Sequence, residues 1–452
     1  MASDWIEIEV NSIAATERNA VVGGPFGSDL VSKDYVPVGV PVIRGQNLSI
    51  DRWVAGPYVY VSNEKADRLS ANLAKPGDLV FTQRGNAVLK GGQVAIVPEG
   101  KYDRYLISQS QMKLTPDLTK VDPVFLLYVF RSHGHAEYLR NNAVVTGVPH
   151  TNLGLLRSFS FQLPSLSDQR RIADILGSLD DKIELNRRMN DTLEAMARRL
   201  FKSWFVNFDP VHAKATLRRQ HPKLSNADLS RRALPNMAPE IAELFPDEFE
   251  ESALGPIPKG WDACTIEDIA ILDKTSVKPG NFPEEVFDHY SIPSFDDGKT
   301  PVQEPGNQIK SNKFVVTDDC VLLTKLNPRI PRVWLPTPAE SRRSICSTEF
   351  LVLRPRESTT REYLFSLMAS RSFFEVYETM VTGTSGSHQR VKPEYLSAMS
   401  VVKPLRDIQD TFSKQANSFY SHMERLRLEA ATLVATRDKL LPKLLSGEFS
   451  LS

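Results

Sequence analysis

Between Pro164 and Phe205 the apolar positions form a stripe: Ile172, Leu176, Leu179, Ile183, Leu193, Leu200 and Trp204. The stripe returns between Pro404 and Leu445 as Phe412, Ala416, Phe419, Met423, Leu433, Leu440 and Leu444, each 240 residues on (412 − 172 = 240; 444 − 204 = 240). Pro164 and Pro404 share that offset, as do Gln169 and Gln409. Filling in Asn186, Asn190 and Ala197, the spacing alternates four and three, which is a heptad seam and not a generic amphipathic face. The copy places Leu426, Ala430 and Arg437 at those three positions, so the polar seam residues differ between the two helices. Polar seam residues cost stability and fix register. A helix of about 36 residues runs about 54 Å and cannot bury its seam alone. Its natural partner is its own copy, and Ile172, Leu176, Leu179, Ile183, Leu193, Leu200, Phe412, Phe419, Met423, Leu426, Leu433 and Leu440 are the packing residues expected between them. Ser167 or Asp168 is the expected cap of the first helix, and Leu441-Pro442 onward the expected end of the second.

A second echo opens each half: Trp5, Val10, Ile13 and Ala14 match Trp261, Ile266, Ile269 and Ala270 at an offset of 256. The chain therefore reads globule, long helix, globule, long helix. In 1–164 the β-rich runs Val38–Ile43, Asp78–Thr82 and Gln93–Val97 alternate with Gly-Gly and Pro-Gly turns, one helix is predicted near Pro123–Ser132, and Thr146–Leu156 reads as loop. In 261–404 strands are predicted at Phe314–Val316, Cys320–Thr324, Arg332–Leu335 and Phe350–Leu353, with a helix over Thr360–Met368. The expected division is 1–164 first globule, 165–205 first long helix, 206–260 connector, 261–404 second globule, and 405–452 second long helix and tail. The connector is Pro-punctuated and charged, and reads as extended with one or two short helices. The fold class is α+β.

Composition narrows the function. The 55 basic and 55 acidic residues cancel, which argues against a generally basic nucleic-acid coat but not against local basic clefts. Cys264, Cys320 and Cys346 are widely spaced and odd in number, so neither a zinc ribbon nor a disulfide framework is expected, and a reducing, cytoplasmic setting fits. The opening MASDWIEIEV lacks an apolar core, so no secretory signal is expected, and no stretch of about 18 apolar residues spans a membrane. Phosphate-loop, dinucleotide-binding and G-x-S-x-G motifs are missing. Asn327-Pro328-Arg329-Ile330 lacks the second proline and the aromatic of an adenine-methylation motif. Asp180-x-Lys182 reads as a solvated helix face, and His133-Gly-His135 as a surface loop without a third metal ligand. No catalytic site, metal site or cofactor site is expected in this chain.

Polar loops bounded by strands remain. Arg grips guanine O6 and N7, and Asn or Gln grips adenine N6 and N7. In the first globule the candidates are Arg44, Gln46 and Asn47; Gln83, Arg84 and Asn86; Gln109; and His150 and Asn152. In the second they are Lys325, Asn327, Arg329, Arg332, His388, Gln389 and Arg390. His150 and His388 each follow a Thr-Gly and are matched to one another, with a DNA contact and a structural anchor both open as their role.

Four stretches carry a family resemblance: Leu163-Pro-Ser-Leu-Ser-Asp-Gln-Arg-Arg-Ile172, Ser203-Trp-Phe-Val-Asn-Phe-Asp-Pro-Val211, Leu254-Gly-Pro-Ile-Pro-Lys-Gly-Trp261 and Leu440-Leu-Pro-Lys-Leu-Leu-Ser-Gly-Glu448. With the duplication, the whole chain resembles the specificity subunit of type I restriction–modification systems. The second helix departs from the pattern, because Pro404-Leu-Arg-Asp-Ile-Gln409 is not followed by Arg-Arg-Ile; this bears on a partner contact, not on the architecture. The resemblance implies two target-recognition globules, each reading one half of a bipartite site in double-stranded DNA, with the helices packed antiparallel as a spacer. It implies two methyltransferase subunits carrying S-adenosylmethionine, and motor–endonuclease subunits bringing ATP and Mg2+. Three other readings stand beside it: a methylation-only or other restriction system, a coiled-coil scaffold, and a catalytic enzyme, the last opposed by the missing motifs.

Overall fold

The computed structural model describes residues 5–48, 51–382 and 389–448. Its chain divides into two compact units, Met1–Arg187 with Leu428–Ser452, and Arg188–Arg427. Each unit thus takes one end of each long helix, the division that antiparallel pairing produces.

In the first unit a four-stranded antiparallel sheet runs in the order Val21–Gly23, Gln111–Leu114, Leu79–Thr82, Val94–Ile96. A five-stranded sheet runs Tyr35–Val36, Val59–Val61, Val40–Ile43, Tyr105–Ile107, Leu73–Ala74, with one parallel pair between Val40–Ile43 and Tyr105–Ile107. The strands Leu79–Thr82 and Gln111–Leu114 are buried on both faces; the first reads as a nearly continuous apolar run, whereas the second alternates as Gln-Met-Lys-Leu and buries its polar side chains too. The helix Pro123–Phe130 packs under this sheet, capped by Asp122, whose carboxylate accepts from Val124 N and Phe125 N. Ile6–Glu9 pairs with Ser160–Leu163, tying the start of the unit to the lead-in of the first long helix.

The second unit repeats this plan. Its four-stranded sheet runs Ala270–Asp273, Phe350–Pro355, Val321–Thr324, Val333–Trp334. Its five-stranded sheet runs Ser276–Val277, Lys313–Val316, Ser344–Cys346, Val286–Tyr290, Val302–Pro305, again with one parallel pair. Asp262–Thr265 pairs with Ser400–Lys403 as Ile6–Glu9 pairs with Ser160–Leu163.

The long helices span Leu166–Phe201 and Arg406–Leu445. In the first unit Asp180 meets Arg437 at 2.8 Å and Asn186 meets Glu429 at 3.0 Å, so one number rises as the other falls and the helices run antiparallel. In the second unit Phe201 and Phe412 pack with centroids 5.8 Å apart, and Glu194 lies in the field of Arg427, which gives the same sense. Ile172, Leu176, Ile183, Phe412, Met423 and Leu426 are buried; Leu179, Leu193, Leu200, Phe419, Leu433 and Leu440 are partly buried. Asn186 is fully buried within the seam. The first helix ends in a wider π-helical turn, Lys202–Val206, which lets the adjacent Trp204 and Phe205 both enter the core before Phe208 turns the chain at φ 53°.

Several local expectations change. Ser165, not Ser167 or Asp168, caps the first helix, because its hydroxyl accepts from Asp168 N at 3.2 Å. The second helix runs through Pro442 to Leu445. A proline near a helix end forfeits one hydrogen bond, and Gly447 at φ 72° supplies the stop. Thr146–Leu156 is not all loop, since Asn152 starts a helix over Leu153–Ser158. The connector is not extended: it holds helices Asp209–Gln220, Asn226–Ala233 and Pro239–Ala242, then a hairpin of Phe249–Ser252 and Gly255–Pro258. Lys214 organises it, donating to Asn226 Oδ1 and to the carbonyls of Ala242 and Phe245, while burial pulls its pKa to about 8. His133-Gly-His135 begins a helix, with His135 buried between Phe130 and Phe159. Asp180 is not solvated either; it lies between Tyr128 and Arg437.

Candidate nucleic-acid interface

The polar loops of the first globule converge. Gln83 N donates to Ser110 O and Ser108 N to Ile43 O, tying the loops after three strands together. Gly24 N donates to Gln111 O, and a Cβ on Gly24 would collide with the Ser108 carbonyl, so only glycine allows this approach. Thr151 N donates to Gln83 O and Gly85 N to Pro149 O, which sets Arg84 opposite His150. The result is one surface carrying Gln46, Arg84, Asn86 and Gln109, all exposed, with Arg44, Gln83 and His150 partly buried. Among the described residues Arg44 Nε and Gln111 Nε2 have no hydrogen-bond partner.

The second globule builds the same junction. Val391 N donates to Lys325 O and Asn327 N to Gln389 O, matching Thr151–Gln83 and Gly85–Pro149. Leu326 bridges Arg390 where Arg84 bridges His150. Asn327 stands where Gly85 stands, and both adopt positive φ, 50° and 114°. Asn is the side chain that tolerates this conformation best after glycine. By this register Arg390, not His388, occupies the place of His150. His388 itself lies outside the described residues.

Other candidates are committed to the fold. Asn47 is buried: its Oδ1 accepts from Arg44 N at 2.9 Å, and its Nδ2 donates to Ala55 O at 2.8 Å and Pro57 O at 3.0 Å. Both amide hydrogens and the amide oxygen are thus engaged within the loop. Asn152 accepts from Leu155 N as a helix cap. Arg332 is buried in a two-pronged pair with Asp296, both bonds 2.7 Å, and its guanidinium holds the Asp296 carboxyl below the usual range. Arg390 is half-exposed and paired with Glu349 at 3.0 and 3.1 Å. That carboxylate aims the guanidinium and keeps it charged. Arg329 is exposed, and Lys325 and Gln389 are partly buried.

One residue escaped the sequence reading. Phe26 is 83% exposed on the loop that Gly24 pins, and the Gln109 amide lies against Gly27 beside it. The signal was Gly23-Gly-Pro-Phe-Gly27, a bulky apolar residue inside a turn sequence that offers it no core.

Among the described residues no group of three or more His, Cys, Asp or Glu side chains can hold a metal ion, and no helix is long and apolar enough to cross a membrane. The three thiols are unpaired, and burial pushes each of them up, Cys264 and Cys320 to about 11.

Comparison with known proteins agrees with this geometry. The family model for the type I restriction modification DNA specificity domain matches residues 35–195. The type I restriction enzyme HindI specificity subunit of Haemophilus influenzae is 25% identical over 413 residues, 83% of this chain and 87% of that protein. The MjaIX specificity subunit of Methanocaldococcus jannaschii is 23% identical over 466 residues, covering 98% and 93%. The crystal structure of the type I restriction–modification S subunit from M. genitalium shares the fold, with a TM-score of 0.56, 12% identity, and 98% and 96% coverage. A duplicated globule, a paired long helix and these relatives point the same way: over most of its length the chain is similar to the specificity subunits of type I restriction–modification systems.

Proposed function

We propose that this chain is a non-catalytic reader of a two-part DNA site, each globule reading one half, and that it directs adenine methylation and restriction by partner subunits. One observation carries the reading. The same loop junction is built twice, with different side chains at matching places: Arg84 opposite His150, and Leu326 opposite Arg390. A repeated frame with different donors reads two different half-sites, because base discrimination follows the donor and acceptor pattern presented to the groove. Arg44, Gln46, Gln83, Arg84, Asn86, Gln109 and His150 serve the first half-site, with Phe26 as an apolar contact. Lys325, Asn327, Arg329, Gln389 and Arg390 serve the second. Two methyltransferase subunits supply S-adenosylmethionine chemistry, and motor–endonuclease subunits supply ATP-dependent cleavage.

Mapping methylated adenines in the host genome with and without this gene tests the reading. A split motif that vanishes on deletion is the expected result; an unchanged methylation map overturns it. The helix pair sets the unread gap in this account. Removing seven residues from each helix, about 10.5 Å, shortens the gap by up to about three base pairs at about 3.4 Å each.

A further inference from the structure

The second unit holds a cavity of about 610 Å³ bounded by its ends of the two long helices and by the helix and strands of its globule. Phe201, Trp334, Phe365 and Met423 give it apolar walls. Ten steps of the second helix, Asn417 to Arg427, run along it, a length of about 15 Å. That suits a short peptide segment better than a compact ion. Six basic and three acidic residues line it, an excess of three positive charges (6 − 3 = 3). Glu194 is shared between Arg198 at 2.6 Å and Lys299 at 3.6 Å. Among the described residues Arg361 donates to backbone carbonyls, those of Cys320 and Pro336. Burial pulls both Lys299 and Arg361 below their usual pKa, as expected for cations whose charge is incompletely answered.

The matching place in the first unit is much smaller. Ala197 in the second unit corresponds to Arg437 in the first at the offset of 240, and Ala369 corresponds to Arg131, each residue following the last turn of its globule helix. Arg437 and Arg131 fill the space their small counterparts leave open. Arg437 binds Asp180 at 2.8 Å, and Arg131 donates to Asp51 O and Val94 O. Only about 210 Å³ remains.

We infer that the cavity of the second unit receives an acidic segment of the methyltransferase partner, anchored by a bulky apolar side chain, and that the first unit offers no equivalent seat. The inference rests on the reading of this chain as a subunit that binds two methyltransferase copies. The two copies then bind unequally, because only one gains an apolar anchor and a charge-matched groove.

The test uses the full chain and its cognate methyltransferase subunit, with stoichiometry and affinity read by native mass spectrometry and titration. Ser421→Trp projects an indole into the cavity from an exposed position, and Lys202→Glu reverses an exposed charge that lines it. Either variant is expected to weaken one methyltransferase copy by tenfold or more and leave the other at wild-type affinity, with thermal unfolding unchanged. A photo-cross-linker on Ser421→Cys is expected to capture a methyltransferase peptide rich in Asp or Glu beside an aromatic or large aliphatic residue. Two copies held at wild-type affinity by both variants would overturn the cavity assignment while leaving the subunit reading intact. Equal loss of both copies would overturn the asymmetry, and capture of a basic peptide would overturn the ligand class. A wild-type chain that binds no methyltransferase would overturn the subunit reading itself, and the inference with it.

Discussion

Tyr128 donates its hydroxyl hydrogen to Asp180 Oδ2 at 2.6 Å, joining a globule helix to the first long helix. At the two matching positions of the second unit, Ser366 and Tyr420 bring their oxygens within 2.7 Å. The aromatic residue has moved from the globule helix to the long helix, and the pair has lost its charge. Burial, and secondarily the Asp180 charge, holds the Tyr128 phenol protonated and donating. Conservation of the contact with exchange of its chemistry is what lets two copies of one fold diverge without coming apart.

Removing the Tyr128 hydroxyl is therefore a test of strength. Tyr128→Phe is expected to destabilise by about 1.5–3 kcal/mol, the range for a hydrogen bond to a charged group. Ser366→Ala, which breaks a neutral pair, is expected to cost about 1 kcal/mol. Calorimetry of the two variants decides; equal losses would mean that the Asp180 charge contributes nothing.

Gln169 and Gln409 make the same three bonds in their own units. Gln169 accepts from Asp122 N at 2.9 Å and donates to Lys120 O and Pro164 O. Gln409 accepts from Thr360 N at 3.1 Å and donates to Ser358 O and Pro404 O. Each clamps the start of a long helix to the cap of the globule helix. Replacement by Leu strands one donor and two acceptors, so each variant is expected to lose about 3 kcal/mol or more. Chemical denaturation followed by a fluorescent probe in each unit should show Gln169→Leu lowering the midpoint of the first and Gln409→Leu that of the second.

Arg84 and Arg332 were alike in sequence and differ in the structure. Arg84→Ala is expected to cost about 1–3 kcal/mol of DNA binding at one base position with little loss of stability. A uniform loss across sequences, with a smaller salt slope, would reassign Arg84 to a phosphate. Arg332→Ala is expected to lower stability by about 1–3 kcal/mol, since Asp296 loses its partner but is half-exposed. Binding by the folded fraction should stay unchanged. Phe26→Ala should weaken binding without lowering the melting temperature.

Burial depresses the pKa of His135 to about 4, against a raising effect from its hydrogen bond to Phe130 O at 2.8 Å. The unfolded chain takes up this proton near pH 6.5, before the folded one does. The neutral ring's contribution is therefore intact above pH 6.5 and is lost as pH falls toward 4, amounting at most to about 3 kcal/mol. His135→Phe should flatten the stability profile in that window; a wild-type and a variant profile that run parallel would refute the assignment.

The sequence by itself determined the duplication, the two long helices, their seam and several of the strands. Each of these is written in periodicity, and a period is a local property repeated along the chain. It also exposed Gln169 and Gln409 as equivalents, because duplication preserves spacing. The tertiary structure alone decided what the polar residues do. Asn47 and Arg84 both looked like base readers, but Asn47 engages the amide of Arg44 and the carbonyls of Ala55 and Pro57, eight and ten residues ahead, while Arg84 is left exposed. His150 pairs by register with Arg84, and Arg390 takes the matching place, which Thr-Gly spacing could not show. The connector looked extended because its charges and prolines hid a buried Lys214 whose three oxygen partners lie 12 to 31 residues ahead. Whether a polar side chain is free to meet DNA depends on which distant backbone groups reach it first, and only the folded chain settles that.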